Sequence, residues 1–144
     1  MNRTLLCLLV AFATSMHVCA GDKILHATLA VDKDTKPTTE FAPDAAQIHA
    51  FYIGDAVKAG DKIRAVWIAE GADAALNGTK IEEATLTATK DNPSDAFSVS
   101  KPPKGWQLGK YKVEFYVNDK LAETLKFTIS DDAAADVDDD STDD

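Results

Sequence analysis

The chain has 144 residues, two cysteines and a formal charge of −9. Both cysteines, Cys7 and Cys19, lie within residues 1–20, so the rest of the chain excludes a disulfide-stapled scaffold, a cysteine nucleophile and a thiolate metal site together. The charge is uneven. Residues 21–130 carry 14 Lys and Arg against 16 Asp and Glu, while residues 131–144 carry eight Asp and no base, and a body this balanced lacks the clustered basic face of a nucleic-acid binder.

Residues 1–20 contain the three parts of an export signal: a positive start at Arg3, an apolar core from Leu5 to Ala13, and a polar stretch ending in Val18-Cys19-Ala20. The small residues place the cut before Gly21. The apolar run breaks at Thr14, Ser15 and His17, short of the roughly 20 residues a spanning helix needs. Lipid attachment at Cys19 is the lesser alternative, because a bacterial lipobox wants a small residue where Val18 stands. The expected location is outside the cytoplasm, periplasmic or secreted. Residues 21–130 then make one domain of ordinary size that must be held by its own core.

Past the leader, apolar residues recur at every second position in short runs parted by Gly, Pro, Asn and Asp, which is strand spacing. The first strand is expected over Ile24 to Val31, followed by a polar connection through Lys33 to Pro37. The next two, Gln47 to Ile53 and Lys62 to Ala69, are joined through Gly54-Asp55 and Ala59-Gly60-Asp61; so short a link predicts antiparallel neighbours. Gly71 to Thr79 is expected to be a loop. Ile81 to Thr89 alternates, with Ala84, Leu86 and Ala88 on one face and threonines on the other. Asp91-Asn92-Pro93-Ser94 ends it, and a shorter strand follows over Ala96 to Ser100. In the closing hairpin Tyr111, Val113, Phe115 and Val117 alternate with polar residues, Asn118-Asp119 turns the chain, and Leu121, Leu125, Phe127 and Ile129 return inward, with Glu123 breaking the series. About seven short strands without a helical period predict an all-β, single antiparallel sandwich over residues 21–130. The Asp-rich residues 131–144 are expected to be a disordered tail.

Two features make this sandwich resemble the immunoglobulin-like and fibronectin-III-like modules of bacterial extracytoplasmic proteins. Trp67 stands in the third predicted strand, where such modules place a large core aromatic. Tyr111 follows Gly109 at the start of the penultimate strand, as in a tyrosine corner. The run from Gly105-Trp106 through Gly109-Lys110-Tyr111-Lys112-Val113 to Tyr116, followed by Asn118-Asp119 and Phe127, is similar to the closing hairpin of these modules. The resemblance spans Ile48 to Ile129 and implies architecture, with no specific function. The paired cysteines of antibody domains are missing, so antibody-like recognition is not implied.

The catalytic inventory is poor, and the chain is read as no enzyme. Past the leader there are two histidines, His26 and His49. No nucleophile elbow, phosphate loop or metalloprotease helix appears, and no cofactor is implied. Glu82 and Glu83 are adjacent, so on a strand they point to opposite faces and form no carboxylate pair. The tail invites a calcium reading at Asp136, Asp138, Asp139 and Asp140, but it lacks the turn glycine and bidentate Glu of an EF-hand, so loose cation binding is a secondary reading. Asn77-Gly78-Thr79 is a glycosylation acceptor in a eukaryotic source and otherwise a turn.

Binding residues are sought among aromatics and lysines. Trp106, after Pro102-Pro103, either forms an exposed platform or caps the end of the core; Tyr116 is expected on the outward face beside Lys112 and Glu114. Lys104 and Lys112, with Lys101 and Lys110, gather around the same loop. The candidate ligand residues are therefore Trp106, Tyr116, Lys104 and Lys112. The expected activity is binding, to a protein or else a glycan, and not to nucleic acid. The alternative is an accessory subunit docking by a strand edge onto an envelope assembly.

Overall fold

The computed structural model describes residues 24–34, 36–71 and 78–134. The predicted leader, the loop residues 72–77 with Asn77, and the tail residues Asp136, Asp138, Asp139 and Asp140 lie outside the described residues. Alternating apolar and polar side chains produce strands throughout: β1 (Leu25–Ala30), β2 (Glu40–Phe41), β3 (Gln47–Gly54), β4 (Lys62–Ala69), β5 (Thr79–Thr87), β6 (Ser94–Ser100), β7 (Gly109–Val117) and β8 (Lys120–Ile129). They form a sandwich of a three-stranded sheet, ordered β1-β3-β6, and a five-stranded sheet, ordered β2-β8-β7-β4-β5. Every pairing is antiparallel except that of β2 with β8. The chain thus enters one sheet as β1 and crosses to the other as β2. Two residues, Glu40 and Phe41, carry too short a pattern to be legible as a strand. A 3-10 turn over Asp131–Ala134 follows β8 and sits beside β2.

The core lies between the sheets and is largely aromatic. Trp67 meets Phe127 edge-on at 6.0 Å, Phe127 stacks on Tyr111 at 5.3 Å, and Phe41 meets Phe127 edge-on at 5.7 Å. Tyr52, Phe97 and Phe115 form a second cluster with centroids 5.6 to 5.9 Å apart. The β7–β8 turn carries positive φ at Asn118 (49°) and Asp119 (67°), the mirror-image turn whose twist suits a hairpin. Asn118 Oδ1 accepts from the Lys62 amide at 3.0 Å, fixing the hairpin to the start of β4.

Two expectations are corrected. Gln47–Gly54 and Lys62–Ala69 are not neighbours: β3 lies in the three-stranded sheet and β4 in the other, so residues 55–61 carry the chain across the core. Val57, fully buried, anchors that crossing. Leu121 is not inward. The β7–β8 register shifts between Phe115, opposite Glu123, and Tyr116, opposite Leu121; the extra residue, Ala122, turns Leu121 to the outer face, 57% exposed. Ala84 and Leu86 share one face, as the alternation predicts, but stay outside the core. They share a face with Ala65 and Ile63 of β4, but β5 is the overhanging edge of a five-over-three sandwich, so Leu86 stays 39% exposed. A second shift, between Trp67 and Ile68, skips Ile81 on β5 and leaves its side chain packed against the core.

Candidate functional site

The sequence-selected residues fall into two pairs. Tyr116 and Lys112 stand on the outer face of the five-stranded sheet, within a lattice of opposite charges. Lys112 Nζ reaches Glu114 at 2.8 Å and Glu70 at 3.9 Å, and Lys126 reaches Glu70 at 3.7 Å. The Tyr116 hydroxyl donates to Glu114, and the Arg64 guanidinium lies 4.5 Å from the Tyr116 ring centroid. Arg64 also pairs with Glu83 and Asp119, both at 3.5 Å. Hydrogen bonds from Lys112 and then Tyr116 hold the Glu114 carboxyl below its ordinary pKa, and Glu114 in turn raises those of Lys112 and Tyr116. Beneath this lattice Val66, though outward-facing, is buried, covered by the stems of its neighbours. The polar atoms of Tyr116 and Lys112 are spoken for, and a ligand would have to break these bonds to use them.

Trp106 and Lys104 belong to the β6–β7 loop at one end of the sandwich. Trp106 caps the core and is not a platform: it is 4% exposed, its Nε1 donates to the Ala45 carbonyl at 3.0 Å, and its ring meets Tyr111 edge-on at 5.7 Å. The Tyr111 hydroxyl donates to the Gln107 carbonyl at 2.8 Å, closing the tyrosine corner. Gly105, with φ of 77°, makes the bend that turns Trp106 inward, a conformation L side chains avoid. Outside this cap is a largely apolar recess of about 380 Å³, lined by Pro102, Pro103, Lys104, Trp106, Tyr111 and Ile81 among others.

A third surface escaped the sequence reading. Cross-strand pairing places His26, Thr28 and Ala30 of β1, Gln47, His49, Phe51 and Ile53 of β3, and Ser94, Ala96, Ser98 and Ser100 of β6 on the outer face of the three-stranded sheet. Among these only His26 is held against a carboxylate, that of Asp55 at one end; the others include no Asp, Glu, Lys or Arg. Along the central strand His49 Nδ1 meets the Ser98 hydroxyl, the His49 and Phe51 rings lie 5.8 Å apart, and Ile53 is 57% exposed. Small residues flank this strip on both sides. A signal was present: Gln47–Gly54 has no charged residue in either phase of its alternation, whereas a strand with one wet face ordinarily carries polar or charged residues there.

Among the described residues, no group of three or more His, Cys, Asp or Glu is placed to hold a metal ion, and no helix is long and apolar enough to cross a membrane. Neither a family model nor a curated protein matches the chain. Among solved structures, an immunoglobulin-like protein of Pseudomonas aeruginosa superposes with a TM-score of 0.50 and 12% identity, over 76% of this chain and 94% of its own. The fold is immunoglobulin-like. An alkylpurine DNA glycosylase of Pseudomonas fluorescens, solved with DNA containing an abasic site analogue, scores 0.45 at 10% identity over 74% of this chain and 30% of its own; a likeness at that level carries no argument. In this immunoglobulin-like module β1 lies in the smaller sheet, β2 runs parallel to the last strand in the larger one, and β5 forms the far edge of that larger sheet.

Proposed function

We propose that this chain is an exported, non-enzymatic module that binds a protein through the outer face of its three-stranded sheet. The observation that carries the reading is the contrast between its two outer faces. One is a lattice of paired charges over Val66; the other is an uncharged strip of His49, Phe51 and Ile53 flanked by Ser, Thr and Ala. Apolar surface left wet costs about 25 cal/mol per Å² relative to burial, and an interface core is marked by depletion of charge and enrichment in aromatics. The occupant is a protein with a flat, uncharged surface. A glycan would be better served by a fully open ring edged with amides and carboxylates than by a half-buried Phe51 among short hydroxyls.

The size of the face sets the strength. Three strands about 4.8 Å apart and seven residues at about 3.3 Å each span roughly 300 Å², against about 800 Å² per partner in a stable complex. The engagement is therefore transient, or it extends past the sheet edges. Export rests on the three-part leader, and sequencing the N-terminus of the secreted chain should give Gly21 first.

The test of the binding face is capture from an envelope fraction by wild type, Phe51→Lys and Ile53→Lys, with Leu121→Lys as a control on the opposite sheet. The expected result is a partner retained by wild type and Leu121→Lys and lost by both face variants, with the unfolding free energy of Ile53→Lys, at a position 57% exposed, within about 0.5 kcal/mol of wild type in urea, as for other exposed substitutions. Equal retention by all four would overturn the reading, as would retention of glycan in place of protein.

A further inference from the structure

We infer that the edge strand β5 is a self-association site, pairing antiparallel with β5 of a second copy about a twofold axis at Thr85. β5 closes the five-stranded sheet and has no strand on its far side among the described residues. It is nine residues long, contains no proline, and is exposed at every position but Ile81. An edge of this length offers a row of unpaired backbone groups that only water or another extended chain can satisfy. Proteins blunt such edges with charge, proline or bulges, and β5 does so in its first half alone. The register shift falls at Ile81, and the charged residues are Lys80, Glu82 and Glu83, of which Glu83 is tied to Lys80 at 2.9 Å and to Arg64. From Ala84 to Thr87 the strand is regular, uncharged and open.

The sequence of that half selects a second copy as occupant. With Thr85 opposite Thr85 of the partner subunit, Ala84 meets the partner's Leu86, Leu86 meets the partner's Ala84, and Glu83 meets the partner's Thr87. No like charges face each other, and a cross-strand threonine pair is favourable. Axes at Glu82 or Glu83 would set two carboxylates directly opposite. The Thr85 axis also gathers Ala84 and Leu86 of both copies on the side where the three-stranded sheet supplies no cover, so the exposed Leu86 gains the apolar neighbours the monomer denies it. The result is one ten-stranded sheet across two sandwiches.

Register makes the inference sharp. At the axis the two Thr85 Cα atoms stand about 4.5 to 5.5 Å apart, within the span of a disulfide. Two residues away, the copies of Glu83 are separated by about four strand steps, roughly 13 Å, beyond its reach. The experiment compares the exported Thr85→Cys and Glu83→Cys chains under mild oxidation, with sedimentation equilibrium of wild type and Thr85→Lys from micromolar to millimolar concentration. Thr85→Cys is expected to form a covalent dimer at least tenfold faster than Glu83→Cys. Wild type should dimerise reversibly, and Thr85→Lys, which sets two ammonium groups face to face at an exposed position, should raise the dissociation constant at least tenfold. Wild type monomeric at 1 mM, equal cross-linking of the two cysteine variants, or a dimer indifferent to Thr85→Lys would each overturn it. Because the face carrying Phe51 lies on the other sheet, failure here leaves the proposed partner site untouched.

Discussion

Tyr111 shows how much one hydroxyl can organise. Its ring stacks on Phe127 and braces Trp106, and its oxygen pins the β6–β7 loop through Gln107. Tyr111→Phe keeps the packing and leaves the Gln107 carbonyl to find water. It is expected to cost about 1 kcal/mol, the net worth of one such hydrogen bond, seen as a lower urea midpoint with unchanged slope. Glu114 makes a prediction about acid. Its pKa is held below the ordinary 4.5, first by the Lys112 ammonium and then by the Tyr116 hydroxyl. A depressed carboxyl adds stability above its unfolded value and loses it as pH falls through the folded one. Glu114→Gln should therefore flatten the loss of stability below pH 4.5 in urea titrations at successive pH values. On the alkaline side the same substitution should remove the support that raises Lys112 above its ordinary 10.5. That Trp106 would be a cap rather than a platform was open in the sequence, since an aromatic after two prolines suits both. The Ala45 carbonyl, 61 residues away in the chain, decides it.

At the level of elements, most strands were legible because each buries one face and so alternates with period two. The exceptions share a cause. β2 is two residues long, and its contribution is Phe41, buried against Phe127. Phe41→Ala is expected to cost about 3 to 5 kcal/mol, the range for emptying an aromatic site in a packed core, measurable by urea denaturation. Such a loss from a two-residue strand would show that it holds the β1-to-β2 crossing in place. The two register shifts were illegible because a bulge is a mismatch between partners, and a sequence read alone has no partner. They account for Leu121 facing outward and for Ile81 packing against the core. Gly54 marks the start of the crossing between sheets: a Cβ there would stand 2.9 Å from Cβ of Val57 and 3.0 Å from Pro93. Gly54→Ala should consequently destabilise by about 1 to 3 kcal/mol through overpacking, with the same assay as its check.

At the scale of the molecule, the unequal sheets explain the exposed surfaces. Five strands over three leave β5 overhanging, so Leu86 is wet, and the face of β1-β3-β6 turned from the core is left without charge. A topology in which β2–β8, β3–β6 and β4–β7 join strands far apart in the chain pays loop-closure entropy before those contacts form. Refolding after stopped-flow dilution from urea is expected on the millisecond-to-second scale of all-β sandwiches. The sequence alone determined the strand class, the hairpin turn at Asn118-Asp119 and the inward face of β7 with Tyr111 and Phe115, because alternation and turn chemistry act over a few neighbouring residues. It also separated the acidic end from the balanced body, because charge simply sums along the chain. Tertiary structure decided which sheet received each strand, where the bulges fell, that Trp106 turned inward, and that β1 and β6 flanked Phe51 and Ile53 with uncharged residues. These depend on contacts between residues tens of positions apart, whose energies come into being only when the two sheets close on a common core.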